Sequence, residues 1–216
     1  MKIARIGVGI LVIGVIVGVV FGIRYWNGQG ISTNDAAAMT KTKGNSQGRV
    51  QIVEYGDFQC PSCSRGAQVL KAYYEVFPQD MHVEFRQFPL NGHAHALLAA
   101  KAAECALDQK RFWEMHDQLF HEQSSWSELV SARSAFVELA KKINLNTKDF
   151  EVCLDDPAIE ARVLAQRDEA LSRDIRSTPS FFVNGELVVG SKSLVERLTK
   201  EFRALSEEEQ KIPLVS

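Results

Sequence analysis

The chain has 216 residues, with 25 Lys+Arg against 27 Asp+Glu, 45% hydrophobic and 24% charged residues. That balance fits one globular domain or two small ones and excludes collagen, disordered tails and multi-pass membrane proteins. Residues 1–44 hold five basic residues and one acid, which leaves residues 45–216 at a net charge of −6, the opposite sign to that of a typical nucleic-acid-binding domain.

From Ile6 to Ile23 the chain runs for 18 positions without a charge, enough for a helix to cross most of a bilayer core of roughly 30 Å. Lys2 and Arg5 precede this run, so the positive-inside rule puts the N-terminus in the cytoplasm and everything after Arg24 outside. Residues 1–26 therefore read as a cytoplasmic stub and uncleaved membrane anchor. A cleaved signal peptide is the competing reading, but its apolar region is shorter, about 7–15 residues, and the nearest small-residue site, Ala36-Ala37-Ala38, lies far downstream. Residues 27–48, rich in Gly, Ser, Thr and Asn, read as a flexible tether.

Arg49 to Tyr55 alternates apolar and polar residues with β-branched side chains, which predicts a strand. Gly56-Asp57 breaks it, and Val69, Leu70, Tyr73 and Phe77 then follow helical spacing until Pro78. Met81 to Phe88 alternates again, completing a βαβ unit. A stretch of about 91–175 loses strand character, with Phe112, Met115, Leu119 and then Phe136, Leu139, Ile143 at helical spacing. Within it, Asp156-Pro157 predicts an N-cap followed by proline at the first helical position. Ser180 to Val183 and Leu187 to Val189 flank an Asn184-Gly185 turn, and Ser193 with Glu196 forms a capping-box pattern for a last helix. The layout is an α/β sheet domain over residues 49–205, split by a helical insertion and followed by a tail at 206–216.

Cys60-Pro61-Ser62-Cys63 falls at the junction of the first strand and helix. The unpaired N–H groups and partial positive charge of a helix N-terminus favour the thiolate of Cys60, and Cys63 one turn further can reach the same sulfur. Pro61 suits the first turn because it needs no N–H partner. A C-x-x-C can also form half of a zinc site, but Cys105 and Cys153 do not make a second such knuckle, so no metal site is expected. His93 and His95 are two apart and His116 and His121 five apart; neither pair shares a helical face, and they read as surface or cap residues.

The sequence resembles the DsbA-like thiol:disulfide oxidoreductases of the thioredoxin superfamily. The resemblance is carried by Glu54-Tyr55-Gly56-Asp57-Phe58-Gln59 before the CPSC motif, by Phe85-Arg86-Gln87-Phe88-Pro89-Leu90, by Ala102-Ala103-Glu104-Cys105-Ala106, and by Ser177-Thr178-Pro179-Ser180-Phe181-Phe182-Val183-Asn184-Gly185. It implies a thioredoxin-like fold with a helical domain inserted between the two halves of the sheet. It also implies a nucleophilic Cys60, a buried Cys63, and a cis Pro179 after Thr178 that lines a substrate groove. Glu54 would move protons as the thiols open and close, and Cys105 and Cys153 would form a structural disulfide; two buried, inert cysteines are the alternative. Ser62 stands where strongly oxidising members have histidine, so a milder oxidant is expected. The implied function is an extracytoplasmic oxidase of exported proteins with cysteine pairs, without a bound cofactor and reoxidised by a quinone-linked membrane thiol oxidase. A reductase or isomerase on the same fold, and a non-catalytic membrane-tethered binding module, are the alternatives.

Overall fold

The structure, a computed structural model, describes residues 41–209. The expected anchor at residues 6–23, most of the tether and the end of the tail lie outside the described residues. Among the described residues no helix is long and apolar enough to cross a membrane.

Strand β2 (Val50–Gly56) runs parallel to β3 (Met81–Gln87), with Val50 opposite Met81 and Gly56 opposite Gln87. Helix α1 (Pro61–Val76) is the crossover between them, because parallel neighbours cannot be joined by a tight turn. Strand β4 (Ser180–Val183) pairs antiparallel with β2, placing Phe181 opposite Glu54, and β5 (Glu186–Val189) pairs with β4. Asn184 and Gly185 both have positive φ, 49° and 83°, the geometry an Asn-Gly hairpin turn provides with little strain.

A short strand, β1 (Thr42–Gly44), adds antiparallel to β3 with Lys43 opposite Val83, giving the order β1-β3-β2-β4-β5. The tether expected over residues 27–48 therefore does not extend to its C-terminal end. Long-range contacts hold this segment: Lys41 Nζ lies 2.8 Å from Glu104 Oε1, Trp113 Nε1 donates to Thr42 O at 2.9 Å, and Lys43 Nζ sits 4.2 Å above the Trp113 ring.

The insertion comprises α2 (Ala96–Asp108), α3 (Phe112–His121), α4 (Gln123–Trp126), α5 (Arg133–Lys142), α6 (Thr147–Asp155) and α7 (Pro157–Ser172). Every residue of α2 from Ala99 to Ala106 is buried, and its small side chains let α3, α6 and α7 pack around it. Asn146 caps α6, and Asp156 caps α7 by accepting from the Ala158 N–H at 2.8 Å. The last helix, α8 (Ser191–Glu209), starts two residues before the expected Ser193 cap. Gly190, at φ 85°, closes the hairpin, and its N–H donates to Pro179 O at 2.8 Å.

Two large apolar clusters form among the described residues. One unites Val50, Ile52, Leu70, Met81 and Val83 with Leu194, Leu198 and Phe202 of α8. The other joins Phe112, Met115, Leu119, Trp126, Phe136 and Phe150 of the insertion to Phe58, Cys60, Cys63 and Phe85. The cysteine pair thus belongs to the insertion's core. The far half of β2 is covered from both sides, so Glu54, Tyr55 and Gly56 are all buried.

Candidate active site

Cys60 is the N-cap residue of α1, with extended backbone (φ −76°, ψ 120°) and Pro61 as the first helical residue. Its carbonyl accepts from the N–H groups of Cys63 and Ser64 at 3.0 and 3.2 Å, so the first turn closes around it. Cys60 keeps 8% of its surface exposed and Cys63 none, and both are free thiols. The Cys60 thiol lies 3.5 Å from Thr178 O. A hydrogen bond from Cys63 pulls the Cys60 pKa down to about 5; burial opposes this, and Thr178 and the Cys63 and Ser62 backbone N–H groups assist. Burial first, then the bond and charge of Cys60, push Cys63 well above the ordinary thiol range. One sulfur is therefore ionised at neutral pH and its neighbour is not.

Thr178-Pro179 is a cis peptide bond, and Pro179 is buried. Pro61 is exposed, and Ser62 is half-buried with its Oγ 3.2 Å from Ser191 Oγ at the start of α8. Glu54, 1% exposed, sits between Phe85 and Phe181 in the sheet register, and its Oε1 has no hydrogen-bond partner. Burial raises its pKa to about 8; the Lys43 charge opposes the shift and the Cys60 charge adds to it. A Cβ on Gly56 would fall 2.7 Å from Phe85 Cε2 and 3.2 Å from Glu54 Oε1, so only glycine admits both groups here.

Cys105 of α2 and Cys153 of α6 are joined by a disulfide, with Cα atoms 5.8 Å apart and a sequence separation of 48. They are unavailable to complete a zinc site with Cys60 and Cys63. The histidines divide. His95 is the N-cap of α2, and its Nε2 donates to Leu129 O at 2.7 Å. His116 does not fit the surface-or-cap reading: it is 3% exposed among the rings of Phe58, Phe85, Trp113 and Phe120. Burial lowers its pKa against the opposing bond to Asp117. The signal was in the spacing: His116 lies four residues after Phe112 and three before Leu119, on the face that the apolar positions mark.

Asp57 has no chemical role in the sequence reading, and His93, read there as a surface or cap residue, is its partner. Asp57 is 1% exposed, and its carboxylate accepts from the Gln59 N–H at 2.7 Å, the Leu90 N–H at 2.9 Å and His93 Nδ1 at 2.7 Å. The available signal was an acid inside an apolar strand–helix junction, where an ionised group is not buried without partners.

A sheet of this order, a C-x-x-C pair at the N-terminus of the crossover helix and a helical insertion between the sheet halves define a thioredoxin-like fold of DsbA-like architecture. The chain belongs to the thioredoxin family, whose model, described as Thioredoxin, matches residues 37–200. Among solved structures it is similar to BdbD from Bacillus subtilis, with a TM-score of 0.66, 23% identity, and coverage of 77% of this chain and 95% of that one. It is also similar to alpha-DsbA1 from Wolbachia pipientis, with a TM-score of 0.66, 22% identity, and coverage of 78% and 94%. At those identities the likeness is one of fold. In sequence it is 33% identical over 146 residues to the Na(+)/H(+) antiporter NhaA 1 of Mycolicibacterium vanbaalenii, covering 66% of this chain but only 23% of that protein. The corresponding antiporter of Salinispora arenicola is 35% identical over 153 residues, 70% of this chain and 22% of its own length. The chain thus spans under a quarter of the curated relatives it matches.

Proposed function

We propose that the protein is an extracytoplasmic thiol:disulfide oxidase that donates the Cys60–Cys63 disulfide to exported proteins with cysteine pairs. The observation carrying this reading is the unequal pair: Cys60 is held near pKa 5 at an open helix end, and Cys63 is buried and raised well above its ordinary value. A substrate thiolate attacks Cys60 Sγ, a substrate–Cys60 disulfide forms, the Cys60–Cys63 bond breaks, and its electron pair goes to Cys63. Glu54, protonated at neutral pH, is placed to give Cys63 its proton. A second substrate thiolate then attacks the substrate sulfur of the mixed disulfide and expels Cys60. The substrate dithiol has lost two electrons, and the pair has gained them. A stabilised Cys60 thiolate is a good leaving group, which favours this direction. Pro179 and Thr178 flank Cys60 and would hold the substrate backbone. Reoxidation is assigned to a quinone-linked membrane thiol oxidase.

Membrane anchoring is supported by the uncharged run at residues 6–23 and by the names of the curated relatives, which are antiporters. Mixing the oxidised full chain with a reduced, unfolded cysteine-containing protein should form substrate disulfides in step with loss of the Cys60–Cys63 bond. Alkylation trapping in cells should find the pair mainly oxidised. A mainly reduced pair would instead indicate a reductase or isomerase, and a pair inert to thiols would indicate a binding module. An envelope-active reporter fused after Ser216 should be active, and the mature N-terminus should retain residues 1–30.

A further inference from the structure

Between the carboxylate of Asp57 and the buried sulfur lies only that residue's own backbone. The Asp57 N–H donates to Cys63 Sγ at 3.4 Å, and the Asp57 carbonyl accepts from the Cys60 N–H at 3.1 Å. The carboxylate itself is anchored on three sides, by Gln59 within its own loop and by Leu90 and His93 from the loop after β3. His93 is partly exposed, its side chain at 28%, in a shallow cleft with Pro89, Leu90, Asn91, Leu97 and Arg167, while the Asp57 side chain is fully buried. Asp57 faces His93 from the β2–α1 loop, and Arg167 approaches from α7, bonded to Asn91 Oδ1 at 2.7 Å. An unprotonated Nδ1 would repel the carboxylate, so Asp57 fixes the Nδ1–H tautomer, and the imidazolium keeps that same donor.

We propose that Asp57 and His93 form a positioning clasp for the buried sulfur: by pinning the Asp57 peptide, they aim its N–H at Cys63 Sγ and stabilise the charge Cys63 carries when its disulfide opens. This rests on the oxidoreductase reading of the pair and not on the direction of electron flow. When a thiolate attacks Cys60 Sγ, the electron pair of the breaking bond arrives on Cys63, which has no exposed surface for water to reach. A fixed donor aimed where charge develops lowers that barrier, and such effects are sensitive to small misplacement. The Asp57 N–H is the catalytic group because it touches the reacting sulfur; His93 acts through it.

The test is the rate at which dithiothreitol reduces the oxidised full chain at neutral pH, measured by rapid acid quench in the wild type, His93→Ala and His93→Asn. Thermal melting and a Cys60 thiolate titration accompany each variant. Asparagine carries a donor nitrogen close to the place of Nδ1 and should rescue. The expected result is a loss on the order of tenfold in His93→Ala, about 1.4 kcal/mol, near-wild-type speed in His93→Asn, and an unmoved Cys60 pKa. A wild-type rate in His93→Ala, an equal loss in both variants, or a parallel change in the Cys60 pKa would overturn the clasp. If His93→Ala fails to fold, Asp57→Asn decides: it keeps one oxygen for Gln59 but turns an amide toward Leu90 and His93, so slow reduction supports the clasp and wild-type speed refutes it. A wild-type pair that dithiothreitol cannot reduce would instead overturn the oxidoreductase reading itself.

Discussion

Cys63→Ala removes the hydrogen bond that does most to lower the Cys60 pKa, and the size of the effect can be worked through. The Cys60 value stands at about 5 against an ordinary 9.0, with the Cys63 bond first among its causes and Thr178 and two backbone N–H groups behind it. A hydrogen bond to a charged group contributes roughly 1.5–3 kcal/mol, or about one to two pKa units at roughly 1.4 kcal/mol each. The variant should therefore titrate at about 6–7, and Cys63→Ser, which restores a donor, should return to about 5. In the wild type, the depressed value stabilises the reduced pair at neutral pH by at most about 3 kcal/mol, which solvent screening at the open helix end reduces. That ceiling corresponds to about 60 mV in the two-electron couple. Ultraviolet absorbance of the thiolate against pH, with alkylation rates as a check, measures the shift. An unchanged value in Cys63→Ala would show that the helix terminus alone holds the charge, and a return to 9.0 would show that it contributes nothing.

Glu54→Gln should flatten the pH dependence of stability in the oxidised protein. The folded-state pKa, about 8 with both thiols free and still raised by burial once the Cys60 charge is gone, lies above the ordinary 4.5, so stability from that proton is fully present below pH 4.5 and is lost as pH rises through the raised value. Across that window the wild-type denaturant midpoint should fall relative to that of the variant, the difference between the two curves being the share of Glu54; parallel curves would show that Glu54 has none. Cys60 contributes with the opposite sign in the reduced protein, gaining stability as pH rises from about 5 towards 9.0, which is why the oxidised form is the one to titrate. Ser62→His should raise the reduction potential by some tens of millivolts, about 30 mV per unit taken off the Cys60 pKa. Equilibration with glutathione buffers reads this, and an unchanged or lower potential would show that position 62, here bonded to Ser191, does not set the redox poise. Cys105→Ala with Cys153→Ala opens a loop closed across 48 residues, for an expected loss of about 4 kcal/mol in the chain-entropy model; a loss under about 1 kcal/mol in denaturant melts would place the bridge's effect elsewhere.

The βαβ unit, the Asn184-Gly185 hairpin and the helical insertion were legible because each rests on a local signal: alternation, turn chemistry or helical period. Strand β1 was not legible, since Thr42-Lys43-Gly44 has no alternation, and its place is set by Trp113 and Glu104, about seventy and sixty residues away in sequence. The start of α8 was misplaced for a similar reason. The capping-box pattern at Ser193 is real in sequence, but the positive φ of Gly190 turns the chain directly into the helix at Ser191. At the site, Cys60, Cys63 and Thr178-Pro179 could be named from motifs, whereas Asp57 and His93 meet only because the loops after β2 and β3 lie side by side.

Cys60 and Cys63 pack with the insertion rather than with the α8 side of the sheet, and this limits how the protein can be simplified. Excising the helices between β3 and β4 would leave a sheet with one crossover helix and the CPSC motif intact, outwardly a minimal thioredoxin. It would also strip away Phe112, Met115, Leu119 and Phe120, members of the apolar cluster in which Cys63 is buried. A wetted Cys63 would no longer be held above the ordinary thiol range, since burial is the first cause of that shift. The difference between the two sulfurs would shrink although neither cysteine had been touched. The reactivity of the motif is written in four residues, but its asymmetry is maintained by helices that begin more than thirty residues downstream.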